Sequence, residues 1–349
     1  TIPKPTVGPV STTASPTSSS SSTDYNMLDF SPDCENLGDG YCDYEDDIYF
    51  TSWRERTQLL FTNMARMDPD GFETEYAASY ACTTSTQAPV WWLTDMSQAA
   101  RFHSYEMASL NFFSHSTSAD YAYLFDDSTS AFDRILYYTS LSWNSASENI
   151  AAGTSTPLAV TLQWLDSSGH CANIYKSEND YLGVGYWYDS SSSFGHYWTQ
   201  NFLGASVTEN YAIPAGSHYD EGDDVRYAVQ WYSSVQVSSA VVYVDGTSHS
   251  MSLLLGTSSS GTYTYDDSSW TSSCQAYYFK IIDADGASFR FPQSSGSFFG
   301  TYGIGNCEES YSIDASATST PTPGPSVYES TNDDSGSNNN SNDDNDESN

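Results

Sequence analysis

Apolar residues in the middle of the chain recur at helical spacing in three segments. These are "SWRERTQLLFTNMARM", "MSQAARFHSYEMASLNFFSH" and "PLAVTLQWLDSS", and in the last of them Pro157 suits the first turn of a helix. The positions that share a helical face are Trp53, Leu60, Met64 and Met67 in the first segment and Ala99, His103, Met107 and Leu110 in the second. "YLGVGYWYDS" and "GHYWTQNFLG" then indicate two strands joined by a serine-rich hairpin. We therefore predict a mixed helix-and-sheet domain over residues 50–204.

The pattern changes over residues 205–313, where polar and apolar residues alternate and turns with Gly or Asp recur at short spacing. Such alternation is typical of strands that bury one face. The stretch "AYYFKIIDADGASFRFP" indicates two strands around a turn at residues 283–286. We expect a small all-β, immunoglobulin-like sandwich here, so that the fold class of the whole chain is α+β.

Both ends of the chain are of low complexity and carry too few apolar residues to bury a core. Residues 1–23 are rich in Ser, Thr and Pro, as O-glycosylated stalks are, and residues 314–349 join a Pro/Thr linker to an acidic tail. We expect both segments to be disordered arms. The N-glycosylation sequon is at Asn339. Because the chain begins without Met and without an apolar leader, we interpret it as the mature form of a secreted protein.

The balance of charges limits the partners of the protein. Lys and Arg number 10 against 45 Asp and Glu, which gives a formal net charge of -35 at pH 7. Nucleic acids and anionic membranes attract basic patches, so neither is an expected partner. The sequence contains no run of about 18 apolar residues, so we predict no transmembrane segment. An acidic surface suits calcium, which prefers carboxylate oxygens; the alternative is that the acids only keep a secreted protein soluble.

Residues 24–49 form the most acidic segment ahead of the predicted domains, with nine acidic residues and no basic one. Five of its carboxylates are candidate calcium ligands, namely Asp39, Asp43, Glu45, Asp46 and Asp47. Their spacing does not match a complete EF-hand loop. The alternative interpretation is a solvated acidic loop that is closed by one disulfide.

The six cysteines form an even set without a CxxC pair, which favours disulfides in an extracellular setting over a zinc ribbon. Proximity in sequence suggests three bridges, namely Cys34–Cys42, Cys274–Cys307 and, for the remaining two, Cys82–Cys171. Six cysteines allow 15 pairings, so these bridges are expectations from proximity alone.

Six short motifs follow one another in the middle region: "TNMARM", "ARFHSYEMASLNFFSH", "SENIAAG", "WLDSSGHCANIY", "YLGVGYW" and "YWTQNF". In this order they resemble the CAP superfamily, also called the SCP or cysteine-rich secretory protein domain, in its bacterial type. The resemblance covers about residues 50–204. It implies an α-β-α sandwich with a cleft, in which two His and two acidic residues face one another and often hold a divalent metal.

Matched motif by motif, the resemblance places His115, Glu148 and His170 in that cleft. The second acid of animal and plant members follows a Trp by three positions, and the third residue after Trp164 is Ser167, so the set of four is incomplete. Neutral imidazoles bind zinc, which makes His115, His170 and Glu148 candidate zinc ligands. The alternative is a hydrogen-bonded structural pair of histidines. We expect no organic cofactor.

Other polar residues near these motifs have structural interpretations. His103 lies on an apolar helical face and is expected in the core, whereas Glu106, one step off that face, is expected at the cleft rim or in solvent. Ser167 and Ser168 precede His170, but no nucleophile elbow surrounds them and serine is common in turns.

These observations favour a secreted CAP-domain protein with a non-catalytic role in extracellular binding or scaffolding, for which the partner is an extracellular ligand, a glycan or a protein. One alternative is a structural subunit of a matrix or filament that self-assembles through its arms and β domain. The other is a metal-dependent hydrolase that uses the cleft, against which the missing second acid counts.

Overall fold

The computed structural model describes residues 52–125, 127–205, 212–222, 224–270, 275–292, 294–295, 298–299 and 302–304. Several predictions therefore lie outside the described residues. They concern the two arms, the acidic segment with its calcium candidates Asp39, Asp43, Glu45, Asp46 and Asp47, the sequon at Asn339, and the bridges Cys34–Cys42 and Cys274–Cys307.

The first part of the described chain is an α-β-α sandwich. Its helices are α1 (Trp53–Met67), α2 (Pro69–Tyr76), α3 (Thr94–Ser109), α4 (Ala131–Tyr138), α5 (Pro157–Leu165) and α6 (Ser168–Tyr175), with a short 3₁₀ helix at Ala122–Phe125. Its strands are β1 (Trp91–Trp92), β2 (Ser145–Ala152), β3 (Tyr181–Tyr188) and β4 (His196–Gly204). They form one sheet in the order β1-β3-β4-β2, in which only β1 and β3 run parallel.

Helix α3 covers one face of this sheet, and α1 with α5 and α6 covers the other. Glycine makes the close approach of α3 to β3 possible, because a Cβ on Gly183 would lie 2.2 Å from the backbone of Met96 and one on Gly185 would lie 2.1 Å from the backbone nitrogen of Arg101. Helix α1 begins with a capping box in which Ser52 and Glu55 satisfy each other's backbone N–H groups.

The second part of the described chain is all β. Its strands are β5 (Gly216–Glu221), β6 (Asp224–Tyr232), β7 (Val237–Val244), β8 (Thr247–Ser250), β9 (Ser252–Gly256), β10 (Ser260–Asp267), β11 (Gln275–Asp283), β12 (Ser288–Phe291), β13 (Ser294–Ser295), β14 (Phe298–Phe299) and β15 (Tyr302–Ile304). One sheet has the order β5-β6-β10-β9 and the second has the order β12-β11-β7-β8, with β15 also paired to β11. Their inner faces share an apolar core, which confirms the predicted sandwich.

The two parts pack through a continuous core across residue 204. Ala215, Tyr219, Ala228 and Leu255 of the β sandwich join the same apolar cluster as helix α1. Polar contacts reinforce this packing, since Thr57 Oγ1 donates to the His218 carbonyl at 2.8 Å and Gln230 Nε2 donates to the Leu60 carbonyl at 2.9 Å. Helix α1 is consequently buried from Glu55 to Met67. The division into two domains at residue 204 remains a prediction.

The predicted hairpin and one predicted disulfide are present. Strands β3 and β4 pair from Tyr181 with Leu203 to Tyr188 with His196. Cys82 and Cys171 form a disulfide with their Cα atoms 5.7 Å apart. Within the described ranges, no helix is both long and apolar enough to cross a membrane.

The prediction of one helix through "NFFSH" was wrong. Helix α3 ends at Ser109, and Asn111 takes the left-handed conformation with φ of 54°. This conformation is incompatible with continuing a right-handed helix. The chain leaves the helix axis there, so His115 lies in the following loop.

Candidate functional site

Glu148 is the centre of a buried polar cluster on the side of the sheet that α3 covers. It lies on the edge strand β2, opposite Asn201 of β4, and its side chain is 4% exposed. One carboxylate oxygen, Oε1, accepts a hydrogen bond from Nδ1 of His115 at 2.9 Å, and the other, Oε2, pairs with Nη2 of Arg134 at 2.5 Å. With its amide nitrogen turned toward Glu148, Asn201 also donates to Oε2 at 3.0 Å. Both oxygens are therefore engaged by the protein.

A second acid, Glu106, lies behind Glu148. The expectation that Glu106 lies at the cleft rim or in solvent was wrong, because its side chain is 0% exposed. One carboxylate oxygen faces Nδ1 of His103 at 2.5 Å, and the other accepts the backbone N–H of Ser118 at 3.0 Å. The loop after α3 folds back over this end of the helix and closes Glu106 off from water. His103 is buried, as predicted.

Arg134, on the amphipathic helix α4, joins the two acids. Its guanidinium is fully buried, pairs with Glu148, and lies 3.8 Å from Glu106. It also donates to Oγ1 of Thr117 at 2.6 Å. A buried carboxylate is stable only when it is paired and hydrogen-bonded, and Arg134 provides this pairing for Glu148.

The electrostatics of the cluster favour an ionised Glu148. Burial alone would raise the pKa of Glu148, but Arg134 first, and then His103 and His115, outweigh it and lower the pKa from 4.5 to about 2. Burial and then Arg134 lower the pKa of His103, while Glu148 and Glu106 oppose this shift. Glu148 is thus an acceptor at neutral pH.

An ionised Glu148 determines the tautomer of His115. A carboxylate only accepts, so Nδ1 of His115 carries the proton and, in the neutral ring, Nε2 has a free lone pair. The His115 side chain is 56% exposed, in contrast to Glu148 beneath it. Because its Nδ1 edge is turned inward to Glu148, the imidazole presents Nε2 outward.

His170 belongs to helix α6, and Ser167 directly precedes this helix. His170 is partly buried, and burial, followed by the nearby charge of His115, lowers its pKa. Its carbonyl accepts a hydrogen bond from Asn149 at 3.3 Å. Ser167 precedes the first turn of α6 without a side-chain cap. Asp166, the neighbouring acid, accepts a hydrogen bond from Ser79 at 3.1 Å instead of reaching the cluster.

His115 and Glu148, two of the three predicted zinc ligands, are hydrogen-bonded to each other. Structural and catalytic zinc sites use three or four protein ligands, but both oxygens of Glu148 are occupied by Arg134, His115 and Asn201. In the part of the chain that the structure describes, no three His, Cys, Asp or Glu side chains are grouped as a metal site. Zinc binding stays an untested prediction, and Glu148 is placed to orient His115.

Two exposed aromatic rings meet at the loop that carries His115. Phe113, two residues before it, is 46% exposed, and Phe194 at the tip of the β3–β4 hairpin is 50% exposed. Their ring centroids are 6.1 Å apart. The backbone N–H of Ser193 donates to the Asn111 side chain at 2.7 Å, which ties the hairpin to the loop. This pair of exposed rings offers an apolar contact to a ligand, and His115, two residues after Phe113, offers a polar one.

Sequence reasoning named His115 and Glu148, which the structure brings into contact, but missed Glu106 and Arg134 as parts of the cluster. The spacing of His103 and Glu106 was a usable signal, since residues i and i+3 of a helix are neighbours. Arg134 offers a weaker signal as a rare basic residue in an amphipathic segment. Neither signal is enough to predict the cluster, because the cluster also depends on the loop that covers α3. The sequence pattern did not show this loop.

Comparison with known proteins identifies the class of the first domain. Residues 59–202 match the model of the cysteine-rich secretory protein family, named CAP. The chain thus contains a domain of the CAP superfamily, which confirms the resemblance carried by the six motifs.

Individual relatives match smaller shares. The uncharacterized protein YkwD of Bacillus subtilis (strain 168) is 36% identical over 109 residues, which are 31% of this chain and 37% of that protein. The match thus spans little more than a third of the relative's length. An extracellular protein containing an SCP domain from Bacillus anthracis str. Ames is 25% identical over 43% of this chain and 40% of its own, with a TM-score of 0.31. An outer surface protein from Borrelia burgdorferi is 14% identical over 45% of this chain and 97% of its own, with a TM-score of 0.32.

Proposed function

We propose that this protein is a secreted, non-catalytic binding protein whose CAP cleft takes an extracellular ligand at His115. The observation that carries the proposal is the pairing of an exposed imidazole with a buried, ionised Glu148. This pairing leaves Nε2 of His115 as a hydrogen-bond acceptor of fixed orientation toward solvent. A preorganised polar group of this kind supports specific binding.

The surroundings of His115 favour one class of ligand. Phe113, two residues before His115, packs against Phe194, and both rings are exposed. The net charge of -35 disfavours polyanions. A neutral glycan combines hydroxyl donors for Nε2 with C–H faces for the two rings. We therefore propose a neutral glycan as the ligand. A scaffolding role through the arms remains a proposal about residues outside the described range.

Titration calorimetry with neutral gluco-, manno- and chito-oligosaccharides tests the proposal. We expect saturable binding of at least one of these probes, and the variant His115→Ala should weaken it by about tenfold, the value of one hydrogen bond to a well-placed acceptor. The matched control is His249→Ala, which removes an imidazole that stacks on Tyr265 in the β sandwich and should leave binding unchanged.

Two results would contradict the proposal. One is the absence of binding across the whole panel, and the other is equal binding by the wild-type protein and His115→Ala. Release of shortened sugars during the titration would favour the hydrolase alternative, and its loss on addition of a chelator would assign that activity to a metal.

A further inference from the structure

The loop that carries His115 has little to hold it from within. It runs from Phe112 to Ser118 between α3 and the 3₁₀ helix, without regular secondary structure. Phe113, Ser114, His115 and Ser116 are exposed, and Thr117 is the buried member of the loop. An exposed irregular loop is ordinarily among the least stable parts of a fold. The place of His115 must therefore be set by contacts from outside the loop.

Three fully buried side chains make most of those contacts, beside the backbone hydrogen bond from the Thr117 N–H to the Thr129 carbonyl at 2.8 Å. Nε2 of His103 faces the Ser114 carbonyl at 2.9 Å, and the carboxylate of Glu106 accepts the N–H of Ser118 at 3.0 Å. Arg134 spans the middle of the loop. Its Nη1 donates to Oγ1 of Thr117 at 2.6 Å, and its Nη2 lies 3.5 Å from the His115 carbonyl. Four of the five residues from 114 to 118 are thus held by these three groups.

Two of these groups, Arg134 and His103, also contact the carboxylate that binds the His115 ring. Arg134 pairs with Glu148. Nδ1 of His103 faces Glu106, and its other ring nitrogen, Nε2, lies 3.9 Å from Oε1 of Glu148. His103, Glu106 and Arg134 are each 0% exposed at the side chain, so none of them reaches a ligand. One buried cluster therefore fixes both the backbone beneath His115 and the partner of its imidazole.

We propose that His103, Glu106 and Arg134 are positioning residues that fix the location and the tautomer of His115. Glu106 then serves as the second acid of the cleft. It comes from helix α3, and not from the position after Trp164 that Ser167 occupies. The inference rests on the proposed function only in taking His115 as the group that meets the ligand.

The test is a nitrogen-15 NMR measurement of the His115 ring together with hydrogen exchange of the loop amides, both without ligand. In the wild-type protein we expect the Nδ1-protonated tautomer and a protected Ser118 amide. Arg134→Lys keeps the charge but cannot reach Glu148, Thr117 and the His115 carbonyl together. We expect it to speed exchange of the loop amides by about tenfold, as for loss of a charge-assisted hydrogen bond, and to shift the His115 ring toward a tautomer mixture.

Arg101→Lys is the matched control. Arg101 is equally buried and pairs with Glu55, but no hydrogen bond of the described residues joins it to the loop. It should lower global stability and leave the His115 signals in place. Equal changes in the two variants would reduce Arg134 to a merely structural residue and overturn the proposal.

Thr117→Val is the second variant, for the case that Arg134→Lys does not fold. It keeps the shape of the side chain and removes only the hydroxyl that Arg134 binds. We expect faster exchange of the loop amides and a smaller shift of the His115 ring. An unchanged His115 spectrum in this folded variant would also overturn the proposal. Because no sugar is used, this result stands apart from the outcome of the glycan titration.

Discussion

The first domain buries two arginine–glutamate pairs that differ in what surrounds them. Arg101 holds Glu55 with two hydrogen bonds of 2.8 and 2.7 Å. Glu55 also accepts the backbone N–H groups of Ser52 and Tyr186, so every partner of this pair lies in a helix, its cap or a strand. Arg134 holds Glu148 in a similar way, but this second pair ends at an exposed imidazole and an irregular loop.

This difference indicates that the Glu55 pair stabilises packing, whereas the Glu148 pair positions a candidate functional residue. The Glu55 pair joins α1, α3 and β3 and is buried, so it stabilises the packing of these elements and is not accessible to a ligand. The Glu148 pair fixes a group that solvent reaches. A buried ion pair is weak evidence of stability by itself, and its neighbours indicate its role. The following predictions test the contrast, beginning with the largest expected effect.

Glu55→Gln should destabilise the protein strongly. It leaves Arg101 as a buried charge without a counter-ion, which costs about 3–5 kcal/mol of unfolding free energy in comparable cases. Urea denaturation measures the loss. Asp266→Asn is the control, because the Arg226–Asp266 pair is partly exposed, at 11% and 43%, and pairs of this kind contribute about 0–1 kcal/mol. A loss of unfolding free energy near that of the control would mean that the Glu55 pair does not stabilise the packing of α1, α3 and β3.

An NMR measurement on Glu55→Gln tests whether the two buried pairs are independent of each other. His115 should keep its tautomer in Glu55→Gln, since the contacts that hold it involve Glu148, Arg134 and Glu106. A His115 spectrum that changes with Glu55 would show that the two pairs act as one network and not as two regions.

The elements of the domain followed from sequence because their signals are local. The period of apolar residues predicted α1, α3 and α5, and the alternation after residue 205 predicted the sandwich. The motif "SENIAAG" pointed to Glu148 as one of six motifs in a fixed order. Glu106 could not be located in this way, because its burial depends on a loop that reverses at Asn111 and returns over the helix. Long-range contacts of this kind leave no period in the sequence.

The packing of α1 shows the same limit. One apolar face was predicted for this helix, but it is buried from Glu55 to Met67. Strands of the β sandwich pack against α1, and polar residues of this helix such as Thr57 and Gln58 are buried and hydrogen-bonded. A buried polar side chain with a partner resembles a solvent-facing one in sequence.

Gly185→Ala should have the next largest effect. The added Cβ would lie 2.1 Å from the backbone nitrogen of Arg101, so it would push α3 away from β3 at the Glu55–Arg101 pair. Overpacking of this kind costs about 1–3 kcal/mol, again measured by urea denaturation. Gly169→Ala on α6 is the control, because nothing lies within 4 Å of its added Cβ. Equal stability of the two variants would contradict the close approach of α3.

The smallest expected effect concerns the free energy of unfolding at acid pH. The two buried regions should lower it in different pH ranges. His218 stacks on Trp53, which lies two residues before Glu55 on α1, with ring centroids 5.6 Å apart. Burial, and then Arg56, lower its pKa well below 6.5. As pH falls below about 6.5, the unfolded chain binds a proton at His218 that the folded protein does not bind, so the free energy of unfolding decreases. The lowered pKa values of His103 and His170 act in the same direction.

Glu148 acts in a lower window, because its pKa falls from 4.5 to about 2 on folding. Its contribution to stability is complete above 4.5 and is lost as pH falls toward 2. Urea denaturation at a series of pH values should therefore show a shallower decline between about pH 6.5 and 5 in His218→Gln, with the decline below 4.5 unchanged. Glu148→Gln should remove the contribution of Glu148 to the decline in the lower window. If His218→Gln altered the lower window as well, titration at the Trp53 end of α1 would be coupled to the cleft, and the two buried pairs could no longer be treated as separate.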